Sequence, residues 1–237
     1  MPHLHFGKNI KVYKVGLIEA ILFRLKTGCQ WRELPVEKFF RRKYSWQSVY
    51  YYFRKWSNYG SWERLWQILL YSHKSLLDLS SIQLDGTHTP SKRGGVSVAY
   101  QARKRCKTTN MLMITDCQGI PLACSEPIAG NHHDSHNLNH HFDSMLIDME
   151  KAEIPTKWLF LNADSGFDTN DFRKLCFQKD ITSNIDFNKR NGQLKDCLFD
   201  ELLYKNRFVI ERTNAWMDAF KALLVRFETK KTKHGKH

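Results

Sequence analysis

No apolar run in the 237 residues approaches the ~20 needed to cross a bilayer, and the opening MPHLHFGKNI lacks the apolar core of a secretory signal. Neither a membrane protein nor an exported one is expected, and the chain reads as cytoplasmic. Cysteine pairing is missing too: Cys29, Cys106, Cys117, Cys124, Cys176 and Cys197 are scattered without a CxxC, which suits reduced, buried thiols. There is no internal repeat and no low-complexity linker, leaving one large domain or a modest domain with a smaller one attached. Negative charge is scarce, with 24 Asp+Glu against 37 Lys+Arg and a net charge of +13. Such an excess attracts polyanions, of which nucleic acid is the commonest, although ribosome-associated and membrane-surface proteins share it. With 42% hydrophobic and 13% aromatic residues, the chain has the material for a core, which excludes disorder.

Residues 1–77 read as helical. VGLIEAILFRLKTG sets Leu17, Ala20, Ile21 and Leu25 on one face, and Gly28 stops it. SWQSVYYYFRKWSNYG predicts a second helix capped by Ser45, with Val49, Phe53 and Trp56 on one side. A third starts at Ser61, with Trp62, Leu65, Trp66 and Leu69 expected inward. Short turns between such helices are compatible with a helix-turn-helix module. Arg41, Arg42, Lys43, Arg54 and Lys55 cluster around the second helix, as phosphate contacts require, or as a solvated basic face.

From Ser80 strands and helices alternate. IQLDGTH predicts a strand with Ile82 and Leu84 on one face, and NMLMITD and PLACSEPIA an antiparallel hairpin split by CQG. DSHNLNHHFDSMLIDME predicts a helix capped by Asp134 or Ser135. KWLFLNAD reads as a buried strand, FDTNDFRKLCFQKD as a helix and DITSNID as a short strand. NRFVIERTNAWMDAFKALLVRFE predicts one long helix striped by Val209, Thr213, Trp216, Phe220 and Leu223. The expectation is an α/β fold, a mixed sheet flanked by helices, behind an all-α region.

Asp85 and Asp164 stand at the ends of predicted strands, where the backbone is rigid and the carboxylate still reaches substrate. Glu211 lies near the start of the last helix. Three hard oxygen donors from separate elements suit Mg²⁺ or Mn²⁺. Two such ions ~3.5–4 Å apart are what phosphodiester chemistry asks for, one activating the nucleophile and one stabilising the leaving 3′ oxygen. The most rigid platform, a central strand, makes Asp85 the expected bridging ligand. Taken singly, Asp85 before Gly86 and Asp164 before Ser165-Gly166 also suit turns, and Glu211 beside Arg212 suits a surface pair.

At these residues a family resemblance emerges. LDGTHTPSKRGG with TTNMLMITDCQGIPLACSEPIAGNHHDS resembles the first catalytic block of bacterial insertion-sequence transposases of the DDE class. LFLNADSGFD resembles their second block, and YKNRFVIERTNAWMDAF their third, in which Tyr, Arg and Glu recur at fixed intervals. AILFRLKTGCQWRELP and SWQSVYYYFRKW resemble the helical DNA-binding region that precedes the catalytic domain. The resemblance implies a ribonuclease-H-like fold over residues 78–228 after a DNA-binding region at 1–77, with 229–237 as a basic flexible tail. It also implies Asp85, Asp164 and Glu211 as a metal-binding catalytic triad for two Mg²⁺ or Mn²⁺ ions. The partner it implies is double-stranded DNA, both the element's terminal inverted repeats and the target, with a homodimer expected on DNA. Tyr204 and Arg207 are implied to contact DNA near the cleavage site. The pattern often has a Lys seven residues after the Glu; here that position is Asp218, with Lys221 or Arg226 as substitutes.

The loop after Asp85 carries Lys92, Arg93, Arg103, Lys104 and Arg105, suited to phosphate contact or to a solvated surface. His136 and His140 have a zinc-compatible spacing, but with no HExxH and no nearby Cys a polar helix face is the plainer reading. His88 suits either a turn or substrate contact. Trp216 reads as core. A transposase is the leading function. Because the chain stops soon after the Glu-bearing helix, a truncated or frameshifted copy acting as a DNA-binding regulator is the alternative, and an unrelated ribonuclease-H-like nuclease the third.

Overall fold

A computed structural model describes residues 13–188 and 199–227 of the chain. The tail at 229–237 lies outside them.

Three helices open the described chain. Helix α1, Lys14–Thr27, ends where Gly28 turns to φ 68°, a left-handed conformation that costs glycine nothing, and the Gly28 N–H closes on the Arg24 carbonyl at 2.9 Å. Helix α2, Trp46–Asn58, starts at Ser45, whose hydroxyl accepts from the Ser48 N–H at 3.3 Å. Helix α3 spans Ser61–Ser72. Leu17, Ala20, Ile21, Leu34, Val36, Val49 and Trp56 form a buried cluster for this region. Aromatic rings line it: Trp31 meets Phe53 at 5.1 Å, and Trp56 meets Trp62 edge-on at 5.5 Å. The expected stripe of α3 is corrected. Trp66 and Leu69 face outward, and Leu70 is buried instead, in a different core.

That second core belongs to a seven-stranded mixed sheet. Its strands are β1 Ile82–Pro90, β2 Ala99–Gln101, β3 Cys106–Thr115, β4 Pro121–Cys124, β5 Ile128–Ala129, β6 Phe160–Ala163 and β7 Thr182–Ile185. The order is β2-β3-β1-β6-β7, with β4 and β5 also pairing with β3. β1 and β3 run antiparallel, whereas β1, β6 and β7 are parallel. Antiparallel strands first, then parallel strands reached through helices, is the ribonuclease-H-like arrangement. The basic loop after Asp85 is more ordered than expected, because β2 and the start of β3 pair within it from Ala99↔Thr108 to Gln101↔Cys106.

Helix α4, Leu138–Lys151, buries Leu138, Phe142, Met145, Leu146 and Met149, and Phe142 meets Phe172 of helix α5 (Asn170–Gln178) edge-on at 5.0 Å. The α4 cap is corrected: Asn137, in a left-handed conformation, precedes the helix without a side-chain cap, and Asp134 is engaged elsewhere. The predicted long final helix is broken. Helix α6 spans Glu201–Lys205, a 3₁₀ turn covers Asn206–Phe208, helix α7 runs Val209–Asp218 and helix α8 Lys221–Leu224. α7 buries Ile210 and Thr213, while Trp216 and Leu223 are about half exposed, so Trp216 is not core. α8 packs on α1, with Lys221 beside Gly28. Of the described cysteines only Cys176 is fully buried among hydrophobic side chains of the sheet core.

Candidate active site

Parallel pairing of β1 with β6 matches Gln83 to Asn162 and Leu84 to Ala163. Asp85 is the next residue on β1 and Asp164 the first residue beyond β6, so the two follow directly on paired positions of neighbouring strands. An Asp85 carboxylate oxygen accepts from the Gly86 N–H at 2.8 Å, and Asp164 accepts from the Gly166 N–H.

One pleat behind this pair lies a chain of buried amides. Asn162 donates to Gln83 at 2.9 Å, and Asn184 of β7 donates to Asn162 at 2.8 Å. Side chains alternate along a strand, so Gln83 shares a face of the sheet with Asp85. The amides reach beyond the sheet. Asn162 also donates to the Leu203 carbonyl, and Asn184 exchanges two bonds with the Asp200 backbone, its Nδ2 donating to the carbonyl and its Oδ1 accepting the N–H. This ties the start of α6, and with it Tyr204, Arg207 and Glu211, to the strands that carry the two aspartates. α7 has its own anchor: the Thr213 hydroxyl donates to the Gly119 carbonyl at 2.6 Å, and Arg212 donates to the Gln118 carbonyl. Glu211 itself is exposed.

The electrostatics centre on Asp85, whose carboxyl is raised to about 6. Burial is the main cause; the Gly86 N–H opposes it, Glu211 raises it further, Arg207 lowers it and Asp134 raises it. Burial likewise raises the Tyr204 phenol, which feels Arg207 and, with opposite sign, Asp186 and Asp164. Arg207 stands 5.5 Å over the Tyr204 ring, and its Nε, buried, has no hydrogen-bond partner among the described residues. The structure thus brings Asp85, Glu211 and Arg207 into one electrostatic group and sets Asp164 beside it through the backbone. Among the described residues no three His, Cys, Asp or Glu side chains converge closely enough to hold an ion as they stand. Both aspartates are turned onto neighbouring N–H groups. The donor chemistry nonetheless fits a hard divalent cation: a desolvated carboxylate with further carboxylates in range gains from added positive charge.

Asp134 has a role that its sequence position hides. It accepts from Asn110 at 2.6 Å, stands 3.8 Å from His88 Nε2, and presses so close to Gly86 that a Cβ there would lie 2.5 Å from its oxygen. Its neighbour His133 lies against Gly166. The HHDS stretch therefore braces the backbone behind both aspartates; its inclusion in the first block was the available signal. His88 is lowered by burial, with Asp134 opposing that and Lys104 and Arg103 adding to it, so these two cations lie close to the end of β1. Arg41, Arg42, Lys43, Arg54, Lys92, Arg93 and Arg105 are exposed, and Lys55 partly so. Of the two proposed substitutes for the missing Lys, Arg226 donates to Thr109 at 2.7 Å and Lys221 lies at α1, away from the carboxylates. His136 stacks on His132 at 3.7 Å.

Residues 84–237, more than half of the chain, match the family described as "DDE superfamily endonuclease". The chain belongs to the DDE superfamily endonucleases. Residues 2–66 of this endonuclease match the family described as "Putative transposase of IS4/5 family". None of the curated proteins matches it. Among solved structures, the endonuclease is similar to a Mos1 transposase paired-end complex with the left transposon end, at 12% identity over 94% of this chain and 79% of the other, with a TM-score of 0.35. It is also similar to a piggyBac transposase synaptic complex with hairpin DNA, at 11% identity, covering 92% and 61% of the two chains, with a TM-score of 0.45. A Mos1 mariner paired-end complex with Mn gives 12%, 94%, 79% and 0.33. Both family matches support a DNA transposase over a binding-only regulator.

Proposed function

We propose that this transposase cleaves and joins DNA strands at the terminal inverted repeats of an insertion sequence, with Asp85, Asp164 and Glu211 as its catalytic carboxylates. The observation that carries this reading is the parallel register of β1 and β6, which makes the two aspartates neighbours, with Glu211 in electrostatic range of Asp85. The three carboxylates would hold Mg²⁺ or Mn²⁺, with Asp85 as the central ligand, and the bound cation would supply the positive charge that lets a water or 3′-hydroxyl attack a phosphodiester and a 3′ oxygen depart. Arg207, with a free buried Nε, holds a phosphate near the scissile bond, and Tyr204 orients Arg207 from beneath. Lys92, Arg93, Arg103, Lys104 and Arg105 follow the DNA backbone on the β2–β3 side. Residues 1–77, including Arg41, Arg42, Lys43, Arg54 and Lys55, bind DNA, residues 78–228 catalyse, and the active species on paired ends is a homodimer.

Duplexes carrying the element's ends, incubated with the full chain and Mg²⁺ or Mn²⁺, test this. End-specific nicking and strand transfer are expected, and each should disappear in Asp85→Asn, Asp164→Asn and Glu211→Gln while duplex binding persists. Tight binding without cleavage even in Mn²⁺ would leave a regulator, and cleavage without end preference an unspecialised nuclease.

A further inference from the structure

The outer face of α2 has no partner among the described residues. The helix buries Val49 and Trp56, and Gln47, Tyr51 and Arg54 on the other side are exposed. Gln47, Tyr51, Arg54 and Asn58 follow one another at intervals of four, three and four residues, so they form one stripe. With Tyr50 and Lys55 they line an open recess of about 410 Å³. Arg54 lies over the Tyr50 ring and Lys55 over the Tyr51 ring, each at 5.8 Å, which holds both cations against the helix. The Gln47 and Asn58 side-chain amides have no hydrogen-bond partner among the described residues. No acidic residue occurs from Phe39 to Gly60, and exposed Arg41, Arg42 and Lys43 stand just before the helix N-terminus, itself favourable to phosphate. α3, the second helix of the pair, exposes Glu63, Trp66, Ile68, Leu69 and Tyr71, an acidic and apolar face that suits DNA less well.

We infer that α2 is the element that enters the major groove of duplex DNA, with Gln47, Arg54 and Asn58 reading base edges. The inference rests on the transposase reading above and adds which residues determine sequence preference. Groove and helix match in size: a groove ~12 Å wide admits one α-helix. At ~1.5 Å per residue the stripe spans ~16 Å, or about five base pairs. The chemistry matches as well, since Gln and Asn pair bidentately with adenine and Arg with guanine. Tyr51 offers a flat apolar surface between them. Arg41, Arg42, Lys43 and Lys55 contact the flanking phosphates.

Fluorescence anisotropy with the full chain in EDTA tests the inference on two probes: a duplex of the element's end, taken from DNA flanking the gene, and a scrambled duplex of equal composition. The Gln47→Ala/Asn58→Ala variant should bind the end duplex at least about ten-fold more weakly, with its affinity for the scrambled duplex and its melting temperature unchanged. The Arg41→Ala/Arg42→Ala/Lys43→Ala variant should weaken both probes alike and flatten the salt dependence. Replacing end-duplex purines by 7-deazapurines, which removes the major-groove N7 acceptors, should cost wild type its preference. Full discrimination by the double variant, or indifference of wild type to 7-deazapurines, overturns the inference. If that variant also still cleaves ends in Mg²⁺, only the role of α2 falls; if wild type neither prefers nor cleaves ends, the transposase reading falls with it.

Discussion

Around α2 an aliphatic core is walled by rings, Trp56 against Trp62 and Trp31 against Phe53, whereas where β1, β6 and β7 meet α6 the interior is made of amides, Gln83, Asn162 and Asn184. Rings ask for edge-on or offset contact but for no hydrogen-bond partner, so the wall of the helical region leaves the outer face of α2 to cations, amides and Tyr51. Amides bind only in register. In the sheet domain they fix the alignment of strands carrying Asp85 and Asp164 and of the segment carrying Glu211. One region presents cations on its surface, and the other aligns the strands from which Asp85 and Asp164 project.

The largest effect is expected where the carboxylate site is braced most tightly. Gly86→Ala would place a methyl 2.5 Å from the Asp134 side-chain oxygen, so either that carboxylate gives up its bond from Asn110 or β1 shifts. Displacement of this kind costs roughly 100-fold in rate. Single-turnover nicking should fall by at least that much, while the helical region's binding to an end duplex stays unchanged; unaltered nicking would mean that Asp134 braces nothing. Trp56→Ala attacks the other side of the comparison. Truncating a buried Trp costs about 3–5 kcal/mol. End-duplex binding should be lost while the sheet domain keeps its own thermal transition by circular dichroism, and a single shared collapse would show that the two cores fold as one.

The effect of breaking the amide chain is smaller. Asn162→Ala leaves Gln83, Asn184 and the Leu203 carbonyl each short of a partner, at about 1–3 kcal/mol for a buried group left unpaired. If the chain seats α6 and α7, nicking should fall further than stability accounts for, and end-duplex affinity should hold. A drop in melting temperature with nicking intact would reduce the chain to ordinary core.

Local signals carried the parts of this fold that are decided locally. The Ser45 cap, the Gly28 stop and the apolar stripe of α1 need only their own helix, and the two aspartates are legible because each follows an apolar stretch, although Asp85 lies within β1, which runs on to Pro90, and only Asp164 stands at a strand end. Nonlocal decisions were not legible. WERLWQILLYS offers several apolar stripes, and only packing against the sheet domain selects Leu70 over Leu69. The spacing of Trp216, Phe220 and Leu223 continues past Ala219, yet the chain turns at Phe220 so that α8 can pack on α1. Asp134 passes for a helix cap until its partners Gly86 and Asn110, distant in sequence, are brought to it. Gln83, Asn162 and Asn184 look hydrophilic in a sequence, and their burial follows only from one another.

The gentlest test separates the regions by pH. Asp85 is raised to about 6 in the fold from 3.8 without it. Between these values the unfolded chain has released a proton that the folded chain still holds, so folded stability of the metal-free protein should decline as pH rises from about 4 to about 6 and level off above. Asp85→Asn has no such proton to lose. The melting temperature of Asp85→Asn should therefore equal that of wild type near pH 4 and exceed it by a few degrees at pH 7, both measured in EDTA. Five of the seven tryptophans, Trp31, Trp46, Trp56, Trp62 and Trp66, lie in the helical region, so tryptophan fluorescence reports chiefly that region. Its transition should be the same in wild type and Asp85→Asn at every pH. A variant that shifts the fluorescence transition as much as the circular-dichroism transition would show that the cost of burying Asp85 is borne by the whole molecule and not by the sheet domain.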